Sequence, residues 1–365
     1  VISVGHPLLG VEEREAVDRV LRTGQIAQGP EIECFENEFS EALVDGRPCV
    51  AVSSGTSGLH LGLLACGIGP GDEVVVPSFT FAATANAVAL TGATPVFADI
   101  DLQTFCLDVA SVKEVLSSRT AAVMPVHLFG HPADMDAFDT LCAQQGIGLF
   151  EDAAQAHGAT WGGRPVGAFG RMAMFSFYRT KNMTAGEGGM VTVSEPEVLR
   201  SVRLLRNQGM LRRYENEIIG FNARMTDLQA AIGREQLRKL PAWNERRRDN
   251  ADFLSAHLAG VTIPHTSAKA RHVFHQYTVL VDADTAERDR IVSALAEEHG
   301  VGAGVYYPIP LHRMPSLSQF APRTDLSRSE TIAARCISLP VHPALSEHDL
   351  ETIVDAVNSV VRAGS

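Results

Sequence analysis

Ile147-Gly148-Leu149-Phe150-Glu151-Asp152-Ala153-Ala154-Gln155 joins an apolar run of strand length to two adjacent carboxylates and a polar turn. A carboxylate directly after an apolar strand falls at the strand's carboxyl end, where open parallel sheets bind their ligands, and there it needs a cationic partner to offset its desolvation. Working outward, the chain repeats this pattern. Short β-rich runs are predicted at Cys49 to Ser53, Glu73 to Val76, Thr94 to Ala98, Ala121 to Pro125, Ile147 to Glu151, Met172 to Phe177 and Gly189 to Val193, separated by helical stretches. Strands alternating with helices predict an α/β fold with a mostly parallel, seven-stranded sheet and crossover helices.

Two helices are predicted ahead of the first strand, the second with Ile32, Phe35, Phe39 and Leu43 along one face. After Pro241 the texture changes to a charged helix from Trp243 to Leu258, a strand-like run from Val273 to Val281, a helix near Ala286 to His299 and a terminal helix after Ser346. The expected division is a large domain over residues 1–240 and a smaller C-terminal α/β domain over 241–365. A chain of 365 residues, 45% of them hydrophobic, is long enough for both.

The formal net charge of -12 and a pI near 5.5 argue against a general nucleic-acid or anionic-membrane surface. The six cysteines form no CxxC pair and sit mostly in apolar segments, which suits free thiols in a reducing cytoplasm. The opening Val1-Ile2-Ser3-Val4 has no basic segment followed by an apolar run, and no stretch reaches eighteen apolar residues, so secretion and membrane spanning are both unsupported. His127, His131 and His157 fit no compact metal-ligand spacing, and no metal is expected.

Three further segments fall at corresponding strand ends. Ser53-Ser54-Gly55-Thr56-Ser57-Gly58 leads into a helix. Its small residues, hydroxyls and free N–H groups suit a phosphate, and they equally suit an ordinary helix cap. Phe175-Ser176-Phe177-Tyr178-Arg179-Thr180-Lys181-Asn182 ends in a lysine and closes into Gly186-Glu187-Gly188-Gly189. A lone lysine is usually a solvated charge, but one emerging into a cleft is depressed toward the neutral amine and can attack an aldehyde. Phe81, after the second strand, can stack on a flat ring or fill the core. Asp152 can pair with a protonated pyridine nitrogen or serve as a cap. A phosphate cradle, a pyridinium partner and an amine on one sheet edge together point to a pyridoxal-phosphate site with Lys181 at its centre.

With these segments, the ordered matches Gly69-Pro70-Gly71-Asp72-Glu73-Val74, Pro77-Ser78-Phe79-Thr80-Phe81, Pro125-Val126-His127-Leu128-Phe129-Gly130 and Glu151 through Gly158 make the chain resemble the DegT/DnrJ/EryC1/StrS family of sugar aminotransferases over nearly its whole length. The resemblance implies fold type I, the aspartate aminotransferase type, and a homodimer with shared active sites. It implies pyridoxal 5'-phosphate as cofactor, passing through pyridoxamine 5'-phosphate. Lys181 falls where the family bonds the cofactor, Asp152 at the pyridine nitrogen, Gln155 near the phenolic oxygen and Phe81 at the stacking position. Gly55 and Thr56, with Ser176, match the phosphate cradle, and Asn222 matches an asparagine reaching the phosphate from the neighbouring subunit. His312, with Tyr306, resembles substrate-side residues.

The implied reaction has two halves, in which an amino acid, glutamate by resemblance, gives its amino group and a nucleotide-linked keto sugar receives it. Lysine at 181 favours transamination over dehydration, for which relatives carry histidine. The Thr184-to-Gly189 turn is closer to the branch that aminates C4 than to the C3 branch. Ala185 and Gln208 depart from the family's frequent threonine and histidine and put the substrate pocket in question. Arg179, Arg212, Arg213 and Arg224 are available for a diphosphate. The alternatives are a cyclitol aminotransferase acting on a keto-inositol and a non-catalytic cofactor-binding regulator, for which no basic recognition helix is found.

Overall fold

The computed structural model describes residues 1–363. Its centre is a seven-stranded sheet of β1 (Cys49–Val52), β2 (Glu73–Pro77), β3 (Thr94–Ala98), β4 (Thr120–Val123), β5 (Gly148–Asp152), β6 (Met172–Ser176) and β7 (Gly189–Val193). The spatial order is β1-β7-β6-β5-β4-β2-β3, and β7 runs antiparallel to both of its neighbours while β6, β5, β4, β2 and β3 pair in parallel. All seven predicted strands are present in this sheet, which is the fold type I arrangement expected from the sequence. Because β7 is reversed, its first residue, Gly189, lies at the same sheet edge as the carboxyl ends of the others.

Both faces of the sheet are covered, which explains why the strands read as continuous apolar runs. Val74 and Val76 of β2 point into one hydrophobic layer with Val50, Val52, Met172 and Met174, whereas the intervening Val75 points into the opposite layer with Val96, Val123 and Leu149. Eleven α-helices are described: α1 (Val11–Thr23), α2 (Pro30–Leu43), α3 (Gly55–Ala65), α4 (Ala83–Leu90), α5 (Val109–Val115), α6 (Met135–Gln145), α7 (Pro196–Arg206), α8 (Asp227–His257), α9 (Thr285–Glu297), α10 (Ser327–Arg335) and α11 (Glu347–Ala363). As the apolar spacing of α2 predicts, Ile32, Phe35 and Phe39 are buried, and they pack with Phe175 and Phe177 from the β6 segment.

The largest departure from the sequence reading is α8, which starts at Asp227 rather than near Trp243 and continues through Pro241. Thr226 and Gln229 form a capping box at its start, and Leu237, Leu240, Asn244 and Arg247 lie buried on either side of the proline. Side-chain burial outweighs the single backbone hydrogen bond that proline removes. Beyond α8, β8 (Tyr277–Leu280) pairs antiparallel with β9 (Cys336–Leu339), and these strands share a separate core with α9 and α11. Residues from the chain start join this unit, since Ile2 bridges to Val301 and His342 meets the Ser3 carbonyl.

Candidate active site

The carboxyl ends of β1, β2, β5 and β6 converge on a cavity of about 430 Å³ lined by Ser54, Gly55, Thr56, Phe81, Asp152, Gln155, Ser176, Lys181 and Tyr306, among others. This volume lies in the range of small-molecule sites. Every segment singled out at a strand end therefore reaches one place.

At the end of β1, Ser54 caps α3: its Oγ accepts from Ser57 N at 3.1 Å and pairs with Ser57 Oγ at 2.9 Å. The cap and the cradle are thus the same structure, and the remaining N–H groups of the first turn open toward the cavity. Gly55 is demanded by close approach, because a Cβ there would lie 3.0 Å from both Met174 Sδ and Ser176 Cβ. Gly189 is tighter still, with Ser54 O at 2.8 Å and Gly55 N at 3.0 Å from the position of an added Cβ.

At the end of β5, Asp152 is 4% exposed. Its Oδ2 accepts from Thr84 Oγ1 at 2.8 Å and its Oδ1 from Ala154 N at 3.1 Å. Burial pushes the carboxyl up, opposed by those two hydrogen bonds and then by the charge of Lys181. The neighbouring Glu151 points to the other face of the strand, fully buried, where it accepts from His127 Nε2 at 3.0 Å, Gly167 N at 2.8 Å and Phe169 N at 2.8 Å. Ala133 N donates to His127 Nδ1 at 3.0 Å, which leaves the ring proton on Nε2, facing Glu151. The two adjacent acids thus divide their work, one facing the cavity and one locking the loops behind it.

Lys181 follows β6 in a tight turn, with its N–H bonded to the Tyr178 carbonyl at 2.9 Å. Burial lowers its ammonium from the ordinary 10.5 to about 8, against the pull of Asp152. Its neighbour Asn182 donates to Asn244 Oδ1 at 2.9 Å and to the Val273 carbonyl at 3.0 Å, which anchors the lysine turn to α8 just past Pro241. With both amide hydrogens used, Asn182 Oδ1 is the acceptor for His275 Nδ1 at 3.3 Å. His275, on the cavity wall, is held well below the usual histidine range by burial and by Lys181.

Gln155 is fixed from both ends, accepting from Phe129 N at 2.7 Å and donating to Tyr307 Oη at 2.9 Å. Phe81 stands 56% exposed in the cavity mouth, its ring 5.9 Å from that of Tyr307. Tyr306 lines the cavity as well. His312 does not: it lies behind the wall, with Nδ1 2.6 Å from Ser78 Oγ and Nε2 2.9 Å from Glu330 Oε1. Asn222 also lies outside the cavity, exposed, and accepts from Arg224 Nε at 3.1 Å. Of the arginines named for a diphosphate, Arg213 and Arg224 face a separate cleft shared with Arg203 and Arg206, and none of the four lines the cavity. Thr84, Tyr307 and His275 were not singled out from the sequence. Thr84 lies within the first turn of α4, and no residue spacing marks it as facing Asp152.

Residues 7–358 match the DegT/DnrJ/EryC1/StrS aminotransferase family. The chain belongs to this family. Its members are pyridoxal-phosphate-dependent, and this aminotransferase is a pyridoxal-phosphate enzyme on the same ground. It is 42% identical over 98% of its length, and 94% of the relative's, to dTDP-3-amino-3,4,6-trideoxy-alpha-D-glucose transaminase of Streptomyces venezuelae. Among solved structures it resembles S. venezuelae DesV in complex with a ketimine intermediate, at 41% identity and a TM-score of 0.90, covering 96% of this chain and 94% of that one. NtdA of Bacillus subtilis with bound pyridoxamine phosphate is 30% identical at a TM-score of 0.89, covering 97% of this chain and 83% of that one.

The cavity of this aminotransferase fits the cofactor on its own terms. Gly189 lets β7 pack directly on the Ser54–Gly55 backbone, which sets the first turn of α3 on the cavity wall where a phosphate would settle, Thr56 and Ser176 supply hydroxyls beside it, and the desolvated Asp152 carboxylate offers an acceptor for a protonated ring nitrogen. Among the described residues, no helix is long and apolar enough to cross a membrane.

Proposed function

We propose that this aminotransferase moves an amino group from glutamate to a keto carbon of a nucleotide-linked sugar, with Lys181 as the catalytic group. The observation that carries the reading is the meeting of a lysine depressed to about 8, a buried carboxylate and the first turn of a helix in one cavity. When bound, pyridoxal phosphate supplies an aldehyde that takes up amino groups and a ring that withdraws electrons. The chain does the rest. Lys181 Nζ, neutral for part of the time near pH 7, would hold the cofactor's aldehyde carbon and, once freed, would take up and return a proton beside the reacting carbon. Asp152 would keep the ring nitrogen protonated, Gln155 would face the phenolic oxygen, Phe81 would stack on the ring, and Gly55, Thr56 and Ser176 would hold the phosphate.

The same reading gives Tyr306 the sugar-facing position and puts His312, held by Ser78 and Glu330 outside the cavity, on the substrate side. It places Asn222 against the phosphate of a second copy's cofactor in a homodimer. An exposed Asn222 outside its own cavity supports this, as do exposed apolar side chains on the adjoining loop, Tyr214 at 80% and Ile219 at 92%. Residues 1–240 then form the cofactor domain and 241–365 the smaller one, supported by the separate core around β8 and β9. Six free cysteines suit work in the cytoplasm.

For the carbon aminated, the Thr184-to-Gly189 turn supports C4, while the S. venezuelae relative, named for a 3-amino product, supports C3. The test is to incubate the pyridoxamine form with a panel of 3-keto and 4-keto nucleotide sugars and keto-inositols, detecting products by mass and locating the new amine by NMR. An aminated nucleotide sugar is expected. Turnover of keto-inositols alone would refute the substrate class.

A further inference from the structure

Asp152 does not stand alone. Its Oδ2 accepts the hydroxyl of Thr84 at 2.8 Å, and Thr84 Oγ1 lies 3.2 Å from Thr80 Oγ1. All three side chains are buried, Thr80 at 1% and Thr84 at 0% exposure, and Thr84 lies behind the cavity wall that Thr80 helps to form. A carboxylate only accepts hydrogen bonds, so Thr84 must donate to Asp152. Its own oxygen is then free to accept, and Thr80 must donate to Thr84. The order of the hydroxyls is therefore fixed by the charge at one end.

The placement of this pair follows from local structure. Thr80 and Thr84 flank the entry to α4, and Thr84 N is bonded to the Phe81 carbonyl at 3.2 Å. One turn thus carries Phe81 into the cavity mouth and, behind it, the hydroxyls that reach Asp152. Since Ala154 N occupies Oδ1, the two bonds together fix the plane of the carboxylate from opposite sides.

We propose that Thr80 and Thr84 are positioning residues for the reaction, a one-way hydroxyl relay that holds the Asp152 carboxylate, ionised and correctly turned, against the cofactor's ring nitrogen. This rests on the reading of Asp152 as the ring's partner. Removing the Thr84 hydroxyl leaves a buried carboxylate oxygen short of its donor, which favours the protonated acid and weakens the hold on a cationic ring.

The test compares holoenzyme with Thr84→Val, Thr84→Ser, Thr80→Val and Asp152→Asn. Two readouts are used: the dissociation constant for pyridoxal phosphate, and the pH at which the bound cofactor's absorbance titrates. Thr84→Val keeps the volume and is expected to weaken binding about tenfold, the size typical of a hydrogen bond to a charged group. It should also move the titration to higher pH, because losing positive charge at the ring nitrogen removes a repulsion that favours deprotonation elsewhere in the conjugated system. Asp152→Asn should move both readouts further in the same direction. Thr80→Val should move them less, and Thr84→Ser should restore both, an outcome that a mere packing role for the methyl group does not produce. If Asp152→Asn shifts both readouts while Thr84→Val shifts neither, the relay is refuted and the role of Asp152 stands. If Asp152→Asn itself shifts neither, the role of Asp152 and the relay fall together.

Discussion

Lys181 should titrate two to three pH units below a free lysine, and pH is the perturbation that reads this out. With the ammonium lowered from 10.5 to about 8, roughly one amine in ten is neutral at pH 7, against about one in three thousand for an unperturbed side chain. The gain in attacking amine is therefore on the order of three hundredfold. In apoprotein mixed rapidly with pyridoxal phosphate, the rate of chromophore formation should rise from pH 6.5 and level off above about 8.5. Asp152, whose charge raises the lysine, provides a second arm: Asp152→Asn should move the midpoint lower. The sign for stability follows from the same shift. Between about 8 and 10.5 the unfolded chain binds more protons at this site than the folded one, so this lysine makes the apoprotein more stable as pH rises through that window. A formation rate still climbing steeply at pH 10, with no plateau near 8.5, would refute the desolvated-amine argument.

Other outcomes follow from single contacts. Gly189→Ala sets a Cβ 2.8 Å from the Ser54 carbonyl oxygen, where only backbone can yield, and should cost about 1–3 kcal/mol in urea unfolding while weakening cofactor retention. Glu151→Gln keeps one acceptor oxygen and sets an amide NH2 against either Phe169 N or Gly167 N together with His127 Nε2, and about 3 kcal/mol of stability should be lost. Gln155→Leu leaves Phe129 N buried without its acceptor and Tyr307 without its donor, for about 1–3 kcal/mol, with a changed absorbance of bound cofactor.

The sheet was legible because its strands are short, apolar on both faces and separated by helical spacing, features set by local composition. Lys181, Asp152, Gln155 and Ser176 were legible for a related reason: each ends or follows a strand, and topology alone carries strand ends to one edge. What escaped depends on direction and distance. Thr84 reaches Asp152 from another crossover, and no local pattern states which way a helical threonine points. Tyr307 was passed over for Tyr306 because neighbours in sequence look alike until the backbone turns one of them onto Gln155. The start of α8 was misplaced because Pro241 reads as a boundary, while the burial that overrides it comes from distant residues such as His157 and Asn182, both bonded to Asn244. β9 was overlooked as four residues with no periodicity to read.

The claim on which the chemistry rests is that the ε-amino group of Lys181 bonds the cofactor, and borohydride reduction of the holoprotein followed by peptide mass analysis tests it most directly. The pyridoxyl group should appear on the peptide containing Lys181 and vanish in Lys181→Ala. A label on any other lysine, with Lys181 unmodified and cofactor present, would contradict the account.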